Sequence, residues 1–478
     1  MHRYALRRSA PTAWSRPSPH RREVPVKHLH CAAVTPSLDT LVPELAELIA
    51  IPSISADDAQ TADVRRAAEW VCERIRSAGG EAEVVETTGK PLAIGEVPAS
   101  RDPGSAPTVL RYAHFDVQPP DPLELWETPP FELTHRDGFL YARGVADDKA
   151  HLFMLLKAVE LLRAEGELPV NVRLACDGEE EIGGHSIVDW LEGDDRGADV
   201  AVVLDGGMVA RDVPGLMIGL RGVCYFHVTV RTGDRDLHSG MFGGVALNAV
   251  HVLSQAISAV TAGPDGLLPE PLRAGIIAPT QKELESWRSL PRGIDELADQ
   301  GATPLDPRAA EDFYIRTTAE PSVDFNGVVS GSPRLQKTVI PVEAEANVSM
   351  RLAPGQEPAA MAPVFERLLR EAVPDGASVA VDLWTSSEPA LVPPDSPAIV
   401  LAADAFEETT GVRPLLVRTG GSIPIVAALV KRGIPAVATG FALSDSNVHS
   451  PNERLVADYL PLGVRTAQAL FRRFADLG

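Results

Sequence analysis

Five short stretches of the chain hold imidazoles and carboxylates: His114-Phe115-Asp116, Asp147-Asp148, Glu179-Glu180-Glu181, Asp205-Gly206-Gly207, and Ser446 to Glu453 with His449 inside it. These side chains ligate borderline divalent cations and exchange protons near neutral pH. In extended chain, residues two apart face the same way, so Asp116 can approach His114 and fix a metal-bound ring through its other N–H. Each stretch alone also has a plainer account. A His-x-Asp pair decorates surfaces, Asp148 can cap a helix, and Asp205-Gly206 makes a strand-ending turn. Acids placed before Gly183 to Leu191 complement a helix dipole. Ser450, Pro451 and Glu453 form a capping box for a helix start, which leaves His449 unexplained just outside it. Three adjacent glutamates, however, repel one another, and a nearby cation would relieve them. Two divalent ions would be neutralised by three ligating carboxylates and one hydroxide.

What must position these groups is a set of short apolar runs, each ending in polar or glycine residues: Val109 to Ala113, Val170 to Ala175, Val200 to Leu204 and Ala436 to Thr439. Helical periodicity lies between and around them, from Asp39, over Thr61 to Ala78, over Lys149 to Ala164, and over Pro397 to Thr409. Strand and helix in alternation predict an α/β layer with a mostly parallel sheet and flanking helices, and such sheets bind ligands at their strand ends. After Gly222 the texture changes. Tyr225 to Arg231 and Ala344 to Arg351 alternate like half-exposed antiparallel strands, a helix is expected over Val245 to Val260, and Gly263 to Pro321 reads as proline-rich loop. The spacing predicts one α/β domain over 37–218 and 386–478, interrupted by an inserted α+β domain over 219–385 with an antiparallel sheet.

Composition narrows the function. A net charge of −22 excludes a basic nucleic-acid face and gives no attraction to anionic lipid. No run of about 18 uncharged apolar residues is present to span a membrane. The four cysteines form no C-x-x-C pair, which points to free thiols in a reducing, cytoplasmic compartment. Residues 1–36 set seven basic side chains against Glu23 alone, so they carry +6 while the remainder carries −28. That arm reads as a disordered extension, with a transit peptide or an over-long start as alternatives.

Nine stretches occur in order: AHFDVQP, YARGVADDKA, GEEEIGG, VVLDGG, DLHSGMFGG, KTVIP, SMRLAPGQ, TGGSIP and SNVHSPNE. On them the chain resembles the co-catalytic zinc peptidases that include cytosolic nonspecific dipeptidase, carnosine dipeptidase, glutamate carboxypeptidase, aminoacylase and succinyl-diaminopimelate desuccinylase. DLHSGMFGG, KTVIP and the long insertion are most similar to the dipeptidase branch. Ala142 and Ala150 depart from the glycines usual in that family.

The resemblance implies two divalent ions, zinc first, with manganese or cobalt as alternatives. His114, Asp147 and Asp205 would hold one ion, and Asp147, Glu181 and His449 the other. It further implies that Asp116 orients His114, that Glu180 is the general base for a dimetal-activated water, and that the Asp147–Asp148 peptide is cis. A shift of the base and ligand to Glu179 and Glu180 is the alternative register. The inserted domain would be a lid and dimerisation unit. In the resulting homodimer His238 reaches the partner's site. Arg351, with its planar fork, would grip the terminal carboxylate of a small peptide substrate. Backbone N–H groups at Gly420, Gly421 and Ser422 would help, at the start of a helix expected over Ile423 to Arg432. The implied activity is dipeptide hydrolysis; N-acyl-amino-acid deacylation, carboxypeptidase action and a catalytically silent binding relative are the alternatives.

Overall fold

The computed structural model describes residues 36–477, so the expectations for the basic arm, Pro36 apart, and for Cys31 lie outside the described residues. The apolar runs are strands buried on both faces: Thr108–His114, Asn171–Asp177, Val200–Val203 and Ala436–Ala438. They lie side by side with 108–114 between 171–177 and 200–203, and 436–438 beyond, every pair parallel. Near-continuous Val, Leu and Ala suits a parallel sheet covered on both sides. Antiparallel strands complete the flanks of this nine-stranded sheet. Leu92–Val97 and Glu81–Val85 close one side, and Gly215–Leu220 with Ala390–Leu391 lies on the other, where Leu415–Thr419 pairs in parallel. Because the central strands share one direction, their chemical ends collect along one edge, and His114 pairs in register with Asp177.

Helices Leu38–Ile49, Thr61–Ser77, Lys149–Ala164, Pro397–Thr410 and Tyr459–Phe474 bury their apolar sides in one core on one face of the sheet. Ser186–Glu192 and Pro424–Lys431 cover the other face, packing Ile187, Leu191, Ile425 and Leu429 against Leu110, Tyr112, Ala201 and Val203. Each such buried side chain contributes about 1.5–3 kcal/mol, so both layers hold the strand ends in place.

A separate four-stranded antiparallel sheet runs in the order Ser322–Val329, Glu343–Leu352, Gly222–Arg231, Ser378–Ser387. Its apolar face packs on helices Ala249–Val260 and Pro358–Ala372, with Phe226 stacked on Phe365 at 4.5 Å. The opposite face is half-exposed and carries Arg351.

Several local expectations change. The helix expected from Val245 begins at Ala249, where the Asn248 side chain caps the Val250 N–H. The helix expected from Gly183 begins at Ser186, because Glu180–Ile182 is a single 3-10 turn ended by Gly183 at φ +66°. The region 263–321 includes three short helices, Gln281–Trp287, Gly293–Asp299 and Phe313–Thr318. No helix starts at Ser450: Arg454–Val456 is a strand paired with Phe139–Tyr141, and the Glu453 carboxylate is buried elsewhere. No helix among the described residues is long and apolar enough to cross a membrane.

Candidate metal centre

Asp147 spends its two carboxylate oxygens on two different imidazoles. His114 Nε2 lies 2.9 Å from Asp147 Oδ1, and His449 Nε2 lies 3.0 Å from Asp147 Oδ2. Beyond His114, Asp205 Oδ1 stands 3.7 Å from the same Nε2. Beyond His449, Glu181 Oε2 stands 2.9 Å from its Nε2. The result is a row, Asp205–His114–Asp147–His449–Glu181, within which His114, Asp147 and Glu181 offer donor atoms all within 4.8 Å of one another.

Each member is held by its own element. His114 ends a central strand and is fully buried, with Nδ1 3.1 Å from the Asp116 carbonyl oxygen and 3.4 Å from Asp116 Oδ1. The Asp116 carboxylate also accepts the N–H groups of Glu180 (3.3 Å) and Glu181 (3.1 Å). One aspartate therefore ties the imidazole to the glutamate turn. The Asp147–Asp148 peptide is cis, as the resemblance implies. Asp148 stands at the start of helix Lys149–Ala164, yet its side chain does not cap it; Oδ2 accepts the His114 N–H at 3.2 Å instead. His449 sits at φ +61°, in the left-handed region, on the loop before strand Arg454–Val456, with its side chain half-exposed.

The three glutamates point three ways. Glu179 is buried and accepts the N–H of Lys90 (2.6 Å) and of Ser186 (2.9 Å), away from the row. Glu181 lies in the row and is braced by Gln118, whose N–H and side-chain amide reach its two oxygens at 3.2 and 2.9 Å. The Glu180 carboxylate makes no hydrogen bond among the described residues. Burial, with Asp205, Glu181 and Asp116 adding to it against His114, holds it up to about 8.

Carboxylates set the charge of the row. Burial would lower His114, but Asp116, Asp147 and Asp205 outweigh it and hold the imidazole well above its usual range. Hydrogen bonds to Asp147 and Glu181 hold His449 up to about 10. Burial pushes Asp147 up, yet the two imidazoles hold its carboxyl well below the usual range. Imidazole with carboxylate is the donor set that divalent ions take, and His114, Asp147 and Glu181 offer it within reach of one another.

The expected substrate contacts lie apart from the row. Arg351 Nη1 is 3.3 Å from Ser422 Oγ, whose hydroxyl donates to the Arg221 carbonyl at 2.6 Å. Neither Arg351 nor Arg221 has a carboxylate within ion-pair distance among the described residues. The Gly421 N–H is already donated to Thr419 Oγ1 at 3.3 Å, and Gly420, Gly421 and Ser422 precede the helix, which begins at Pro424. His238 is exposed, with Nδ1 accepting the Gly240 N–H at 3.1 Å, and makes no hydrogen bond or ion pair with the row in its own chain. Sequence reasoning missed Gln118, Glu453 and His151. Gln118 and Glu453 fall inside quoted stretches, but nothing in their spacing marks them as supports; His151 stands one residue past YARGVADDKA.

Residues 110–473 match the family model described as "Peptidase family M20/M25/M40". The chain is 29% identical over 439 residues to the cysteinylglycine-S-conjugate dipeptidase of Corynebacterium striatum, covering 88% of this chain and 92% of that one. It is 30% identical over 462 residues to the Cys-Gly metallodipeptidase dug1 of Schizosaccharomyces pombe, covering 89% and 94%. Its fold matches the solved structure of the dipeptidase Dug1p from Saccharomyces cerevisiae with a TM-score of 0.70 at 25% identity, over 92% and 97% of the two chains.

Proposed function

The chain belongs to peptidase family M20/M25/M40, and from that premise we propose that it cleaves the peptide bond of dipeptides or similar small substrates with a free C-terminal carboxylate. The observation that carries this reading is the division of Asp147 between His114 and His449, with Asp205 and Glu181 outside them. That row divides into two ligand sets sharing one carboxylate: His114, Asp147 and Asp205, and Asp147, Glu181 and His449. Two bound divalent ions would supply a water of lowered pKa and polarise the scissile carbonyl. With cations bound beside it to hold it ionised, Glu180, the glutamate of its run whose carboxylate makes no hydrogen bond among the described residues, would accept a proton from the attacking water and pass it to the leaving amine. Asp116 keeps the His114 ring in place. Arg351, beside Ser422 and with no carboxylate at ion-pair distance among the described residues, receives the substrate carboxylate.

In this reading 37–218 with 386–478 is the catalytic domain, and 219–385 is the lid and dimerisation domain. His238 serves the partner's site in a homodimer; Met241, Phe242 and Val245, all exposed beside it, supply apolar surface for that contact. Zinc suits the donor set best, and manganese or cobalt also fits. The buried free thiols Cys72, Cys176 and Cys224 accord with a cytoplasmic setting. Elemental analysis of the purified protein, run beside a panel of free dipeptides and N-acetyl amino acids, tests the proposal. Two divalent ions per chain and chelator-sensitive turnover of dipeptides, cysteinylglycine among them, are expected. Turnover confined to the N-acetyl substrates would make it a deacylase, and a metal-free protein without turnover would make it a silent relative.

A further inference from the structure

We propose that His151 is a positioning residue that sets the distance of Asp205 from the His114–Asp147 pair through a buried chain of hydrogen bonds. The inference rests on the two-ion reading above. His151 projects from the first turn of helix Lys149–Ala164 and is wholly buried. Its Nε2 lies 2.9 Å from the Phe441 backbone nitrogen. An amide N–H only donates, so Nε2 bears the lone pair and the ring proton sits on Nδ1. Nδ1, 2.9 Å from Asp148 Oδ1, donates to it. The other oxygen of Asp148 accepts the His114 N–H at 3.2 Å. One end of this chain therefore grips His114 and the residue bonded to Asp147.

The other end grips Gly206 and Met208, on the loop that follows Asp205. Phe441 follows strand Ala436–Ala438, and its neighbour Ala442 is joined to the loop after Asp205 in both directions. Ala442 N–H donates to the Gly206 carbonyl at 3.3 Å, and Met208 N–H donates to the Ala442 carbonyl at 2.8 Å. A Cβ on Gly440 would overlap the Gly206 backbone, so the two loops touch main chain to main chain. His449 and Glu181 hang on different supports: Glu181 is braced by Gln118 and Asp116, and His449 is carried on the 446–453 loop. An apolar side chain at 151 would fill the volume but leave the Phe441 N–H and one Asp148 oxygen unpaired. The loop carrying Asp205 would then be free to drift from the His114–Asp147 pair, which Glu453 and Asp116 still hold.

The test is calorimetric titration of the metal-stripped full chain with Mn²⁺ and with Zn²⁺, for wild type, His151→Leu and His151→Gln, beside the thermal midpoint of each apo protein. Leucine removes both bonds; glutamine keeps a polar group of similar reach. In His151→Leu we expect one of the two ions to bind about 10- to 100-fold more weakly, the other unchanged, with kcat recovering at excess metal. Wild-type affinity for both ions in a folded His151→Leu overturns the proposal, and so does a His151→Leu that fails to fold beside a His151→Gln of wild-type affinity, since the side chain then serves folding alone. So does an equal weakening of both ions that tracks a fall in the apo midpoint, or a loss of fold in both variants, since His151 is then merely structural. A wild-type chain that takes up fewer than two ions is a separate result, visible before any variant is made. It sinks the two-ion reading and this inference with it.

Discussion

The Glu453 carboxylate accepts the backbone N–H of Asp147 at 3.1 Å, from a position more than three hundred residues further along the chain. The same oxygen accepts the Ala146 N–H at 2.7 Å, while the other oxygen takes the Gly144 N–H at 2.9 Å and the Arg143 guanidinium at 2.6 Å. A side chain that looked like the closing member of a helix cap is instead the clamp on the loop that presents Asp147. The donors converge on a wholly buried site, and only an acceptor-only group can satisfy all of them.

Glu453→Gln follows directly. Its amide N–H₂ must face either Arg143 and Gly144 or Ala146 and Asp147, setting donor against donor. Breaking a buried, hydrogen-bonded ion pair costs about 3–5 kcal/mol. A lower thermal midpoint and weaker metal uptake are expected together. A variant with wild-type values of both would show that the loop is held by other contacts.

The three glutamates at 179–181 are separated by what they touch. Glu179 is satisfied by the Lys90 and Ser186 N–H groups, and Glu181 lies against His449. Glu180→Gln should therefore keep both metals and lose about a hundred- to ten-thousand-fold in kcat. Glu179→Gln should act on stability instead. Metal analysis with steady-state kinetics on the two variants checks this, and a silent Glu180→Gln would remove the base from the mechanism.

The strands were legible because their runs are near-continuously apolar and lead into polar or glycine residues, and Lys149–Ala164 repeats leucine and valine at helical spacing. The antiparallel sheet was legible in the alternation of Tyr225 to Arg231 and Ala344 to Arg351. The helix expected after Ser450 failed because Ser-Pro-x-Glu satisfies a local rule, while Glu453 obeys a distant one, the demand of four buried donors near Asp147. Gln118 and His151 were invisible for a similar reason. A support is defined by the backbone groups it satisfies, and those come together only in the fold. The outward order of the row, with Asp147 between two imidazoles, is likewise a property of strand order rather than of any motif.

Asp116 links two ligands at once, standing 3.4 Å from His114 Nδ1 and accepting the N–H of Glu181 at 3.1 Å. Asn in its place retains a single acceptor oxygen, so one of these ties must go. Asp116→Asn should weaken metal binding about 10- to 100-fold, measured by competition with a chromogenic chelator, while saturating metal restores most of kcat. Affinity equal to wild type would mean that His114 is oriented by the Asp116 carbonyl alone.

Arg351 offers the clearest separation of binding from chemistry. It lies on the half-exposed face of the antiparallel sheet, hydrogen-bonded to Ser422 and away from the Asp205–His449 row. A guanidinium there can hold the substrate's carboxylate equally in the ground and transition states, and an interaction of that kind acts on KM rather than kcat. Arg351→Met should raise KM for free dipeptides by about tenfold or more, the loss of a charge-assisted hydrogen bond of about 1.5–3 kcal/mol, with kcat little changed. C-terminally amidated dipeptides should be poor substrates for wild type and no poorer for the variant. An equal penalty from Arg351→Met on both substrate series would show that the arginine holds the lid sheet, and that the carboxylate is gripped elsewhere.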